Sequence, residues 1–222
     1  MNIEKRVFDV VKQNGESVKI STRRPNNQEI EISDMEYSRA FTNSVIAGLL
    51  PQETLESALR KRGILSEEKD LQREEQGELV SSLEEELENT PSENKQEVAD
   101  RLKDARAKLF EMRQERSRLL AHSAEAKASN AQRDSIVSQV TEFAKNGAKV
   151  WRNIEDFMNE TDGNIVFRAT YEYMTFTNGL PSDFIEQLPE NKVSEKPEKK
   201  EEVVIKEEPL KTETAVSTEK KG

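Results

Sequence analysis

Side chains able to do acid–base, nucleophilic or metal chemistry are few and scattered in this sequence. His122 is the only histidine and there is no cysteine. Neither a His/Cys metal cluster nor a Cys–His nucleophilic pair can therefore be assembled. Leu119, Leu120, Ala121 and Ala124 flank His122 and place it on an ordinary helix. Asp156, Glu160 and Asp162 offer oxygens to a hard cation but lack the ligand spacing of an EF-hand loop. Glu84-Glu85-Glu86 points around a helix rather than into one cleft. Asn14-Gly15 and Asn178-Gly179 have neither the spacing nor the lysine of a phosphate-binding loop. One enzymatic route stays open, an acid/base pair of carboxylates from distant segments. The expectation is a non-enzymatic protein with no cofactor and no metal.

Residues spaced for non-covalent binding are better defined. Val98, Leu102, Ala105, Leu109 and Met112 recur three or four apart, and Leu119 follows a polar step at Arg116. Such spacing draws one narrow apolar stripe down a helix, as in a coiled-coil seam. Leu71, Leu79, Leu83 and Leu87 form a sparser stripe in the acidic stretch before it, weakened by about 1 kcal/mol at Gly77. The Lys- and Arg-rich stripe has only Phe110 to stack on a base. Its cations read as partners of the acidic helix, and no nucleic acid is expected.

The two stripes require an antiparallel helical hairpin over residues 66–129. Thr90-Pro91-Ser92-Glu93 has the form of a capping box that begins the second helix. Folding back there would set Glu67 and Glu68 near Arg113, Glu74 and Glu75 near Arg106, and Glu84 to Glu88 near Lys95. The second helix would be the longer, more than about 50 Å against about 35 Å, and would project past its partner near Leu119-Leu120.

Three further segments flank the hairpin. Residues 1–65 read as a small β-strand module followed by two helices. Asn14-Gly15 turns between Val7-Phe8/Val10-Val11 and Val18/Ile20, and Ile30 and Ile32 alternate as a further strand. Ser33 and Glu36 have capping-box spacing, Tyr37, Phe41, Val45 and Ile46 line one helix, and Gly48 and Gly63 suit helix ends. Residues 130–191 are the most apolar part and read as a helical cluster. One helix, capped by Ser129 or Asn130, carries Ile136, Val137, Val140, Phe143 and Ala144. Val150, Trp151, Ile154, Phe157 and Met158 continue at helical spacing. A last helix runs from Ile165 to Phe176, before a turn at Leu180-Pro181-Ser182-Asp183-Phe184-Ile185. These aromatics have two readings, a packed core or an exposed groove that grips a partner. Residues 192–222, rich in Lys and Glu around Val203-Val204-Ile205, are expected to be a disordered tail or a short recognition peptide. The fold class expected is mainly α.

Composition agrees with a binding protein. Of 222 residues, 33% are apolar and 35% charged, too polar for one large core. A net charge of −10 disfavours anionic membranes and nucleic acid. No stretch approaches the roughly 20 apolar residues of a membrane span, and the absence of cysteine fits a reducing cytoplasm.

Two stretches, Met35 to Phe41 with Leu55 to Ile64, and Val150 to Phe157 with Leu180 to Asn191, resemble proteins from the structural-gene modules of tailed bacteriophages. The resemblance covers residues 34–191, and some such proteins resemble tail assembly chaperones. It implies transient binding of a tail or other virion subunit in the host cytoplasm, and it transfers no active residues. The alternative is a virion or scaffolding component that self-associates through the 98–119 stripe. Residues expected to touch a protein partner are Leu102, Leu109, Met112, Leu119, Leu120, Trp151, Phe157 and Phe184.

Overall fold

The computed structural model describes residues 4–194. Mainly helical, it begins with an antiparallel hairpin of β1 (Lys5–Val11) and β2 (Ser17–Arg23). Phe8 pairs with Ile20, and Val10 with Val18. The turn runs from Lys12 to Glu16, with Gly15 in the left-handed region at φ 86°. Expected strand and turn agree here.

Ile30 and Ile32 are not in a strand; they lie on helix α1 (Asn27–Ile46), which absorbs them both. The expected start at Ser33/Glu36 moves upstream because Asn26 and Glu29 complete a capping box. Asn26 Oδ1 accepts from the Glu29 N–H at 3.0 Å, and Glu29 accepts from the Asn26 N–H at 2.9 Å. Two backbone donors that a helix start leaves free are thus satisfied together. Burial would raise the Glu29 carboxyl, but hydrogen bonds from Arg23 and the Asn26 N–H outweigh it and hold it below the ordinary range. Val45 and Ile46, expected on an apolar face, are exposed; Tyr37 and Phe41 stack 6.4 Å apart. Helix α2 (Gln52–Lys61) follows Pro51 and ends at Arg62-Gly63 as expected.

Helices α3 (Glu67–Asn89) and α4 (Lys95–Leu120) form the antiparallel hairpin. Its core is Val80, Leu83 and Leu87 against Val98, Ala99, Leu102, Ala105 and Leu109. Thr90 ends α3, its hydroxyl donating to the Glu86 carbonyl at 2.6 Å, and α4 begins only at Lys95. The longer turn shifts the register. Arg106 meets Glu84 rather than Glu74 and Glu75, Arg101 meets Glu86, and Arg116 meets Asp70. Nor does α4 project as far as expected. It stops at Leu120, about 39 Å from its start, because Ser123 caps a new helix by accepting from the Ala126 N–H at 3.1 Å.

That helix, α5 (Ala124–Val140), therefore starts before the expected Ser129 or Asn130. It packs along α1, where Ala124, Ala128, Ser135 and Ser33 are small and fully buried. Phe143 leaves the expected helix for strand β3 (Thr141–Phe143), which pairs Phe143 with Ile20 and completes a sheet ordered β1-β2-β3. Val150 and Trp151 are not helical either, and only α6 (Ile154–Met158) keeps that spacing. Helix α7 (Gly163–Thr177), capped by Asp162 and ended at Asn178-Gly179, lies as expected. Phe8, Val10, Ile20, Val137, Trp151, Phe157, Ile165 and Ala169 form the second core, so the sheet completes the apolar region expected of 130–191 alone.

Beyond α7 the chain straps the two cores together. Arg6 donates to the Leu180 carbonyl and to Thr175 Oγ1 at 2.9 Å, and Ser182 donates to buried Glu172 at 3.0 Å. The chain then turns into α8 (Pro189–Ser194), whose Glu190 binds Arg106 at 2.7 Å while Val193 packs on the hairpin core. Residues 192–194 are thus helical rather than part of the expected tail. The remainder of that expectation lies outside the described residues.

Candidate protein-binding cleft

The hairpin seam closes through its apolar side chains and through buried Gln76 on α3, whose amide donates to the Ala105 carbonyl at 3.0 Å. From Leu109 towards the base of α4, the inward positions are Met112 and then Arg116. The facing positions on α3 are Gln72, Lys69 and Arg73. Long polar side chains do not interdigitate as leucines do. A cleft of about 190 Å³ is left between the helices. Leu65, Met112 and Leu119 are its apolar lining, with Gln72, Lys69, Arg73, Glu115 and Arg116 around them. Gln72 and Met112 also line a shallower hollow that runs on to Leu79 and Lys108. At that size the cleft falls below the roughly 300–1,000 Å³ of small-molecule sites.

An ion network fixes the cleft floor. Asp70 accepts from Arg73 at 2.8 Å and Arg116 at 3.3 Å, and from Arg60 on α2. Glu56, also on α2, accepts from Arg116 and from Arg60 at 3.4 Å. Arg116 thereby ties α2, α3 and α4 together. Hydrogen bonds from Arg60 and Arg73 hold the Asp70 carboxyl below its ordinary range, against the opposing effect of desolvation. Across the mouth, Lys69 and Glu115 are 3.1 Å apart and both exposed. A pair of that kind contributes about 0–1 kcal/mol, so a ligand displaces it easily.

The residues expected to meet a partner divide in two. Leu102 and Leu109 are enclosed by the hairpin, Leu102 with no exposed surface. Trp151 and Phe157 meet edge to face at 4.8 Å between ring centres inside the sheet core. These four are corrected from partner contacts to packing, since their apolar surface is already covered by this chain. Met112 and Leu119 line the cleft, half-buried, and Leu120 and Phe184 are half-buried outside it.

No family model, curated protein or solved structure matches this chain.

The isolated carboxylates have structural partners instead of a common ligand. Asp156 binds Arg152, Glu160 accepts from Trp151 Nε1 at 3.2 Å, and Asp162 caps α7. His122 is exposed in the turn before α5. Leu65, Lys69, Gln72 and Arg73 were not singled out by their spacing. The usable sign was Arg116, where the apolar stripe of α4 is interrupted.

Proposed function

We propose that this chain is a non-enzymatic protein-binding assembly factor that holds an apolar segment of a partner in the seam cleft. The supporting observation is the cleft itself, with half-buried Met112 and Leu119 beside a displaceable Lys69–Glu115 pair. Apolar contact supplies affinity there, and the surrounding charges orient the bound segment. The resemblance to phage tail assembly chaperones suggests the partner class: a tail or other virion subunit, bound transiently in the host cytoplasm. Self-association through the 98–119 stripe is the weaker reading, because the stripe as far as Leu109 is already covered by α3.

A photo-crosslinking residue at position 112 tests the proposal in phage-infected cells. A virion subunit should be crosslinked from position 112 and lost when Leu119→Glu is added. Crosslinking that ignores Leu119→Glu, or none from position 112, refutes it.

A further inference from the structure

The sheet ends on a strand whose outer edge is open. In the order β1-β2-β3, β1 pairs only with β2. The Lys12 N–H donates to the Glu16 carbonyl at 2.9 Å, which fixes the phase of the ladder. Arg6, Phe8, Val10 and Lys12 then bond to the strand beside them, and Lys5, Val7, Asp9 and Val11 turn their N–H and C=O groups away from it. The turn end of this outer edge is guarded by α7 and its cap. Asn164 Nδ2 donates to the Val11 carbonyl at 3.1 Å, and Asp162 accepts from the Gln13 N–H at 2.9 Å. Among the described residues no hydrogen bond reaches the outward groups of Val7 or Asp9. Val7 is 54% exposed, and the Asp9 carboxylate meets only Lys19, at 3.8 Å.

An open edge rich in valine and free of proline is a template for another strand. A second copy of β1 is a strand whose charges fit it. Antiparallel self-pairing must set outward residues opposite outward residues, so registers that pair most of the strand centre on Val7, Phe8 or Asp9. Centring on Asp9 opposes two like charges and needs the Val11 carbonyl that Asn164 covers. Centring on Phe8 sets Lys5 opposite Val11 and needs the same carbonyl. Centring on Val7 uses only free groups. It sets Val7 beside its own copy and Lys5 opposite Asp9 twice, a cross-strand arrangement in which opposite charges attract. Lys5 keeps its bond to Glu142 as well, because an ammonium has three donors.

We propose that two copies of this chain associate edge to edge through β1, antiparallel and centred on Val7, joining their sheets into one. The contact is isologous and exchanges about six backbone hydrogen bonds. It covers less than the roughly 1,000 Å² of a lasting interface, so the dimer forms only at high concentration. The inference is independent of the seam cleft.

Sedimentation of the full chain across concentrations tests it. The mass should rise from 25.4 kDa towards twice that value as the concentration nears the millimolar range. Over the same range the amide signals of Val7 and Asp9 should shift, while those of Phe8 and Val10, bonded to β2, stay. Asp9→Lys should raise the dissociation constant by about tenfold, because Lys5 then faces a like charge in both halves. Lys5→Asp should do the same. Mixing the two variant chains, each shown to be folded by circular dichroism, should restore association, since every Lys again faces an Asp. A chain that stays monomeric throughout overturns the proposal. So does association that Asp9→Lys leaves unchanged, or that the mixture fails to restore. Association abolished by Met112→Glu also overturns it, because the contact would then lie on the hairpin.

Discussion

Two apolar cores in this molecule are built on different plans. Around the sheet, Phe8, Ile20, Val137, Trp151, Phe157 and Ile165 converge from strands, helices and a loop, and they enclose one another. In the hairpin a single seam is shared by two helices, and its members are Val, Leu and Ala. A convergent core has no ends. A seam must stop somewhere, and the way it stops decides what the surface offers. At the tip, Leu87 and Val98 carry the apolar contact up to the turn. At the base, Arg116, Lys69 and Arg73 replace it, and a cleft remains. The binding capacity proposed above would come from an unfinished core.

The largest effect should come from breaking the seam. Leu102→Asp places a charge where no solvent reaches, and it should cost at least about 5 kcal/mol through lost packing and an unpaired buried carboxylate. Helical circular dichroism should fall while the near-ultraviolet signal of Trp151, which belongs to the other core, persists. Simultaneous loss of both signals would show that the strap through α8 makes one cooperative unit of the two. Trp151→Ala should cost about 4 kcal/mol and reverse the pattern, loosening the sheet while the α3–α4 helices stay formed.

The contrast also explains what could be read from the sequence. The seam was legible in part. Leucines at helical spacing and opposite charges point to the same pairing, and the hairpin exists. Leu71 and Leu79 of the expected α3 stripe are exposed, however, and Val80 joins Leu83 and Leu87 instead. The register of the seam was not legible, because Thr90 satisfies the end of α3 and delays α4 to Lys95. The convergent core was harder to read. Phe143 follows a helical pattern, yet Thr141–Phe143 gains more by completing the sheet beside β2. Trp151 and Phe157 sit at helical spacing, but the loop and short helix that carry them are shaped by mutual packing. Ile30 and Ile32 alternated like a strand until the Asn26–Glu29 cap set the helix. The α4 side of the candidate site showed as Met112, Leu119 and the interruption at Arg116. The facing side chains belong to α3 and the Leu65 turn, distant in sequence.

Electrostatics sharpen the comparison at a smaller scale. Beside the sheet, Arg23 joins buried Glu29 and Glu142, both held below the ordinary carboxyl range by their Arg and Lys partners despite burial. Depressed values mean that this contribution is complete above the ordinary value of 4.5. It fades as pH falls further, when the folded carboxylates are forced to take protons. Glu29→Gln should cost about 2 kcal/mol at neutral pH and flatten denaturation midpoints measured below that value. At the cleft base, Asp70 is also depressed but partly exposed. Asp70→Asn should cost about 1 kcal/mol or less, and its effect should shrink in high salt while that of Glu29→Gln does not. Equal salt sensitivity in chemical denaturation would remove the distinction between the two networks.

The smallest effect on stability should belong to Met112, the residue at the centre of the proposed binding cleft. Met112 lies between the closed part of the seam and the ion network, and its thioether fills space that neither helix packs tightly. Flexible methionine suits a surface that must adapt to a partner. Met112→Glu leaves the Leu102 and Leu109 contacts in place and sets a carboxylate among Lys69, Lys108 and Arg116. The cost in chemical denaturation should therefore be within about 0.5 kcal/mol, as for an ordinary surface change. The apolar lining of the cleft is nevertheless lost, so the proposed binding of an apolar segment should be abolished. If Met112→Glu instead destabilises the fold as Leu102→Asp does, the seam is closed at its base after all. The two cores would then differ in composition alone.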